Sequence, residues 1–332
     1  MKTHYEWLFL VDSKSSSGLG HINRCLNLAD QLFKGQGRII FVLNSYVLKT
    51  SEFFSRKNFH SVLLDDFKIE NYSIDCFICD TYSIDSKVEE IAQNSKFSIQ
   101  IYDYGECHHF FDVIFAPFHN HQPLKKKNLE FLNGVEYSLV TKFEKYLKGI
   151  TIKPKVQTIL LTFGAIDKKE NTLYVLKILQ SIDYKGIVLI AIPSSSNQIK
   201  TIKDALKYFN FTVEFIFDKE RVIELFKNTD LIIGSGGLGL LERLCYGIPS
   251  ISLISSTNQK AQVLGASLAK TTVAINSIGV IDDGHLRKEL LHVIKDYAYR
   301  KEMSINAMKY IDGRGPARLA QFLRERLDKC VE

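Results

Sequence analysis

Asp230-Leu231-Ile232-Ile233-Gly234-Ser235-Gly236-Gly237-Leu238-Gly239-Leu240-Leu241-Glu242 is the stretch on which the fold turns. Its opening apolar run is short and uninterrupted, the pattern of a strand buried on both faces. Packed glycines follow, and then a helical pattern through Tyr246 that Gly247 and Pro249 close. Strand, tight glycine turn and helix make one βα unit of a parallel sheet.

The same alternation runs outward in both directions. Candidate strands precede the stretch at Leu8–Val11, Ile39–Leu43, Ser61–Leu64, Cys76–Cys79, Phe97–Ile101 and Val113–Phe115. A second series comprises Thr158–Thr162, Ile187–Ile192, Val213–Ile216, Leu231–Ile233 and Ile251–Leu253. Between them, His21–Phe33 carries Ile22, Cys25, Leu26, Ala29, Leu32 and Phe33 on one helical face. Val222–Phe226 suggests a shorter helix, and Arg287–Glu325 reads as helical with one break at Gly313-Arg314-Gly315-Pro316. The expected architecture is α/β: two doubly wound, Rossmann-like domains facing a cleft. The Lys-rich segment Lys142–Lys155 is the natural boundary, giving domains 1–145 and 156–332, the second with the terminal helices. A chain of 332 residues is comfortable for two such domains.

Composition excludes several classes. Hydrophobic residues make up 45% and charged residues 24%, which is globular rather than disordered. A net charge of +6 favours an anionic ligand but falls short of a nucleic-acid signature. No apolar run is long enough for a membrane span, and no cleavable leader is apparent. The six cysteines are scattered, which suits a reduced, cytoplasmic protein.

The first glycine loop, Asp12 to His21, leads from the first strand into the first helix. Gly18 and Gly20 allow a tight turn, and the helix start favours an anion. The dinucleotide fingerprint is only half met, because Asn23 stands at its third position and Leu43-Asn44-Ser45 offers no acid for a ribose. No Gly-Lys-Ser/Thr is present, so a P-loop is excluded. His21 at a helix N-terminus is expected as a neutral imidazole, the form a general base requires, with Asp12 placed to orient it or the sugar. The alternative is that His21 caps the helix and Asp12 ends the strand.

In the second loop, Gly234, Ser235, Gly236, Gly237 and Gly239 suit a diphosphate held by backbone N–H groups. Glu242 could accept bonds from ribose hydroxyls, or serve as a favourable charge near a helix start. Asn258 and Gln259 follow the next strand and could hold phosphate or sugar hydroxyls, while Thr257 could simply cap a helix.

In order, these segments resemble the UDP-sugar hydrolase family of pseudaminic acid synthesis, the UDP-2,4-diacetamido-2,4,6-trideoxy-β-L-altropyranose hydrolases. The resemblance covers most of the chain. It rests on Asp12-Ser13 with Gly18-Leu19-Gly20-His21-Ile22-Asn23-Arg24, Asp80-Thr81-Tyr82, Tyr102-Asp103-Tyr104 with Asp112, and Phe163-Gly164-Ala165-Ile166-Asp167. The Gly234–Glu242 loop, Gly247-Ile248-Pro249, Asn258-Gln259 and Asp312-Gly313-Arg314-Gly315 continue the series. Departures lie in the first half: Leu10-Val11-Asp12 for Arg-x-Asp, Tyr104 for a second Asp, and Ser138-Leu139-Val140-Thr141 after Tyr137.

The resemblance implies the GT-B glycosyltransferase-like fold and inverting hydrolysis of a UDP-sugar at its anomeric carbon. His21 would act as base, Asp12 and Tyr82 would assist it, and Gly20, Arg24, Asp80, Asp103, Tyr137 and Gly164 would meet the sugar. The implied partner is a small nucleotide-sugar, without nucleic acid. No Asp-x-Asp pair is present, and neither metal nor cofactor is expected. A glycosyltransferase on the same fold, or a non-catalytic nucleotide-sugar-binding module, is the competing reading.

Four other clusters read as structure. Cys76 and Cys79 lie three apart on a strand, so they point to opposite faces and read as buried thiols. Cys107-His108-His109, with His119 and His121, reads as a solvated loop. Lys125-Lys126-Lys127 reads as a solvated turn, and Phe53-Phe54 and Phe110-Phe111 read as core or cleft wall.

Overall fold

The computed structural model describes residues 4–13, 19–33, 37–44, 54, 59–118, 129–142, 150–164, 167 and 170–331. Ser15, Ser16, Ser17 and Gly18 of the first loop, Ser45, Phe53, His119, His121, Lys125–Lys127, Ala165, Ile166 and part of the Lys-rich boundary lie outside them. The chain forms two units: Met1–Thr141 with Gly313–Glu332, and Lys142–Asp312.

In the first unit, seven parallel strands lie in the order β3-β2-β1-β4-β5-β6-β7. They are β1 (Glu6–Val11), β2 (Arg38–Leu43), β3 (His60–Leu63), β4 (Cys76–Asp80), β5 (Phe97–Ile101), β6 (Val113–Phe115) and β7 (Glu130–Leu132). The long helix α1 (Gly20–Phe33) connects β1 to β2, and α2 (Ser86–Gln93) connects β4 to β5. Both faces of the sheet are covered. Trp7, Phe9, Val11, Cys76 and Ile78 point into one core, and Leu8, Leu10, Phe77 and Cys79 into the other. Cys76 and Cys79 thus lie on opposite faces of the sheet, as their spacing requires.

The second unit repeats the plan with six parallel strands in the order β10-β9-β8-β11-β12-β13. They are β8 (Thr158–Thr162), β9 (Ile187–Ala191), β10 (Thr212–Ile216), β11 (Leu231–Ser235), β12 (Ser250–Ile254) and β13 (Val273–Asn276). The helices are α3 (Asn171–Ser181), α4 (Gln198–Ala205), α5 (Lys219–Leu225), α6 (Leu238–Cys245), α7 (Lys260–Leu268), α8 (Asp283–Lys295) and α9 (Tyr297–Tyr310). A buried aspartate staples the start of the fourth strand in each unit. Asp75 accepts the Glu6 N–H at 2.9 Å and Lys96 at 2.8 Å. Asp230 accepts the Gln157 and Thr158 N–H groups, each at 2.9 Å.

Two short strands depart from the sequence expectation. β7 and β13 are edge strands; β7 has no buried residue and β13 alternates buried Val273 and Ile275 with more exposed neighbours, so neither carries the continuous apolar run by which a central strand is read. The terminal helical stretch also breaks at Asp296, whose side chain caps α9 by accepting the Tyr299 N–H at 2.9 Å.

The last helix, α10 (Gly315–Val331), corrects the expected domain 156–332. Leu319, Ala320, Leu323 and Leu327 recur at helical spacing and are buried in the core of the first unit. Arg324 donates to the carbonyls of Gln31 and Leu32 at the end of α1, at 2.7 and 3.0 Å. A Cβ on Gly315 would stand 2.0 Å from the Ser138 carbonyl oxygen, so the close approach of helix to loop requires glycine there.

Candidate functional site

In a doubly wound sheet, ligands bind at the carboxyl ends of strands where the order reverses. In the first unit that point lies between β1 and β4. The parallel register sets Val11 against Asp80, and the Asp12 N–H donates to the Asp80 carbonyl at 2.9 Å. Two strand ends and the start of α1 therefore converge.

The Asp80 carboxylate is almost wholly buried and fully engaged. It accepts from His21 Nδ1 at 2.8 Å, Arg24 Nε at 2.7 Å and the Cys25 thiol at 3.2 Å, and Arg24 Nη2 makes a further short contact. Burial alone would raise its pKa. The Arg24 guanidinium and His21 overcome that and hold the carboxyl well below its usual range. Burial likewise opposes the Arg24 charge, but Asp80 and Asp103 hold it well above the ordinary value. Arg24 Nη2, a donor only, also lies 3.2 Å from His21 Nδ1, but the contact to Asp80, an acceptor only, is shorter, and on that ground Nδ1 is assigned as the protonated nitrogen. Nε2 then carries the lone pair, and no hydrogen-bond partner meets it among the described residues.

Arg24 Nη1 continues to Asp103 at 3.0 Å, and Asp103 accepts the Tyr82 hydroxyl at 3.2 Å. The Tyr82 ring meets the His21 imidazole edge-on, with centroids 5.0 Å apart. His21, Arg24, Asp80, Tyr82 and Asp103 are thus one hydrogen-bonded and packed group. Asp12 departs from its expected role. It accepts Asn44 Nδ2 at 3.2 Å, while Asn44 Oδ1 receives the Ser13 N–H at 2.9 Å. The carboxylate that orients His21 is Asp80. A sugar contact to Asp80 would have to displace its protein partners, so its position is beneath the site. Gly20 opens α1 with free space around its Cα. Tyr137 is not brought to this group: it is half-buried against the core, in the short turn Val135–Tyr137 beside α10.

In the second unit the order reverses between β8 and β11, where Gly164 and the Gly234–Gly239 loop lie. Gly164, expected at the sugar, belongs to this unit and has a φ of +83°. A Cβ on Gly234 would stand 2.3 Å from the Thr162 carbonyl oxygen, and one on Gly236 2.1 Å from Val263 Cγ2. These glycines let the loop lie flat on its neighbours. Gly237 begins α6 with no side-chain cap, so the first N–H groups of the helix remain available to an anion. Glu242 is half-buried over the loop, its Oε2 3.9 Å from a Cβ position on Gly239.

Gln259 has a different employment from the expected one. Its Oε1 accepts the N–H groups of Gly236 at 3.2 Å and Ser255 at 3.0 Å. Gln262 Nε2 donates to the carbonyls of Gly236 and Gly237 at 2.7 and 2.9 Å. The two amides clamp the loop from α7. Asn258 accepts from the Ser256 hydroxyl in the preceding turn. Gln262 and Arg243 were not singled out from sequence. Gln262 could have been found, since it stands one helical turn after Gln259; Arg243 reads as an ordinary surface charge of an amphipathic helix.

No protein-family model matches the chain. Over 205 residues it is 20% identical to the spore coat polysaccharide biosynthesis protein SpsG of Bacillus subtilis (strain 168), covering 60% of this chain and 59% of that protein. Over 276 residues it is 24% identical to the uncharacterized protein MJ1062 of Methanocaldococcus jannaschii, covering 76% of this chain and 56% of that one. The chain thus spans less than two thirds of the length of each of these relatives. Among solved structures it is similar to Acinetobacter baumannii MurG, with TM-score 0.71, 12% identity and coverage of 97% and 99% of the two chains. It is also similar to CalG4, the calicheamicin glycosyltransferase, with TM-score 0.64, 12% identity and coverage of 98% and 99%. The fold is the GT-B fold of such glycosyltransferases, with two parallel-sheet α/β domains.

Proposed function

We propose that the protein is an enzyme of nucleotide-sugar chemistry that transfers the sugar from its diphosphate to an acceptor hydroxyl. The observation that carries this reading is His21. Asp80 holds its Nδ1, and its Nε2 has no partner among the described residues at the switch point of the first unit. An imidazole held this way can take a proton from an attacking hydroxyl through Nε2. The glycine loop of the second unit is the candidate for holding the diphosphate. Uncapped N–H groups and the helix dipole stabilise the negative charge that develops on a departing diphosphate. Glu242 is the candidate ribose ligand. Attack opposite the leaving group inverts the anomeric centre.

The structural neighbours favour transfer over the hydrolysis that the sequence resemblance implies. The name of the B. subtilis relative supports a polysaccharide as the destination of the sugar. The test is release of nucleoside diphosphate from UDP-sugars with and without hydroxyl acceptors. Transfer predicts release that depends on acceptor; equal rates without acceptor would identify water as the attacking species. In either case His21→Ala should lower turnover by about 10²–10⁴-fold while UDP affinity is kept. Near-normal turnover in that variant would remove His21 as the base.

A further inference from the structure

Arg243 is the third residue from the C-terminal end of α6 and is completely buried against the end of β11. Its Nη2 donates to the Ser235 carbonyl at 3.1 Å and to the Ser252 hydroxyl at 2.7 Å. Nε and Nη1 have no hydrogen-bond partner among the described residues. Nη1 lies 3.3 Å from the position of a Cβ on Gly234, so the guanidinium is pressed against the strand end from which the glycine loop springs.

The surroundings give the cation little compensation. Ser252 passes its own proton to Thr272, which also accepts from Ser250 and donates to the Ser250 carbonyl. The hydroxyl chain is neutral and presents only one lone pair to Arg243. Glu242 is the carboxylate that favours the charge. Burial lowers the pKa to about 9, which leaves the group a cation at neutral pH.

Arg300 shows what a structural buried arginine looks like in this chain. It is equally inaccessible, but Nη1 and Nη2 donate to the carbonyls of Val293, Ile294, Lys153 and Pro154. Those bonds close the end of α8 and anchor the incoming chain. Arg300 leaves only Nε without a partner among the described residues, whereas Arg243 leaves Nε and Nη1 and bonds through Nη2 alone. An interior guanidinium without counter-charge is unfavourable, and an apolar side chain of similar volume ordinarily serves a core better.

We propose that Arg243 is a built-in counter-charge for the diphosphate of the nucleotide-sugar, a positioning residue that acts through the glycine loop. The anion on the first N–H groups of α6 completes a charge balance that the protein leaves open, and the buried cation strengthens the field at the loop in a low-dielectric surrounding. The proposal rests on the nucleotide-sugar reading and assigns its phosphate selectivity.

The test is calorimetric titration of UDP and uridine into the wild type, Arg243→Lys and Arg243→Gln. Both variants keep a donor for the Ser235 carbonyl and the Ser252 hydroxyl, and only lysine keeps the charge. The expected result is a wild-type preference for UDP over uridine that Arg243→Lys keeps within about threefold. Arg243→Gln should lose at least about tenfold of it with uridine affinity unchanged. A folded Arg243→Gln protein that keeps the full preference overturns the proposal. So does equal weakening of both ligands, which is the mark of a structural role. Should the glutamine variant fail to fold, loss of the preference in a folded Arg243→Lys protein overturns it as well. A wild type that binds uridine and UDP equally overturns this inference alone; one that binds neither overturns the nucleotide-sugar reading with it.

Discussion

Under the proposed function, Asp80 joins catalysis and stability in one carboxylate. It fixes the His21 tautomer and also neutralises Arg24, so changing it has two separable effects. Asp80→Asn should lower kcat by about 10²–10⁴-fold, because an amide can present its NH₂ to Nδ1 and stabilise the wrong tautomer. Nucleotide affinity should be unchanged in the same titration. The second effect is on acid stability. The folded carboxyl titrates below its unfolded value, so the unfolded chain binds more protons as pH falls under about 4. The stabilisation is complete above that pH and is lost as pH descends toward the depressed value. Urea midpoints measured from pH 5 to pH 2 should fall less steeply in Asp80→Asn than in the wild type. Parallel slopes would mean that the Asp80 carboxyl is not held down.

At the scale of elements, the glycine loop is shaped by its neighbours as much as by its own residues. Gly236 lies where any Cβ would collide with Val263 on α7. Gly236→Ala should destabilise the protein by about 1–3 kcal/mol, and adding Val263→Ala should recover part of the Tm. A double variant no better than the single would place the strain elsewhere. The clamp by Gln259 and Gln262 fixes the loop before any ligand arrives, which reduces the ordering cost of binding.

Much of this was legible in the sequence. Uninterrupted apolar runs located the central strands, and the glycine spacing of Gly234–Gly239 located the loop. Long-range pairing was not legible. The sequence offers Asp12 for His21 and gives Asp80 to the sugar; only the β1–β4 register brings Asp80 within reach of Nδ1, while Asp12 accepts from Asn44. The burial of Arg243 was hidden for a related reason, since helical periodicity cannot show that a polar position faces a row of buried hydroxyls on β12 and Thr272.

At the scale of the molecule, the two units differ in how they are assembled. Lys142–Asp312 is one continuous segment with its own core, whereas Met1–Thr141 is completed by α10. Removal of residues 313–332 takes Leu319, Leu323 and Leu327 from the first core. At about 1.5–3 kcal/mol for each buried side chain, that loss rivals the net stability of an ordinary domain, about 5–15 kcal/mol. A chain ending at Asp312 should therefore lose the thermal transition of the first unit and keep that of the second, as separate peaks in calorimetry. Retention of both transitions would show that α10 is dispensable.

The return of α10 also orders events during synthesis. Translation delivers the strands of the first sheet before the second unit, but the residues that seal one of its faces emerge only after that unit. The second unit can reach its folded state while the first still shows an apolar surface. The nascent first unit is therefore the portion most in need of protection on the ribosome, and it matures only after α10 has left the exit tunnel.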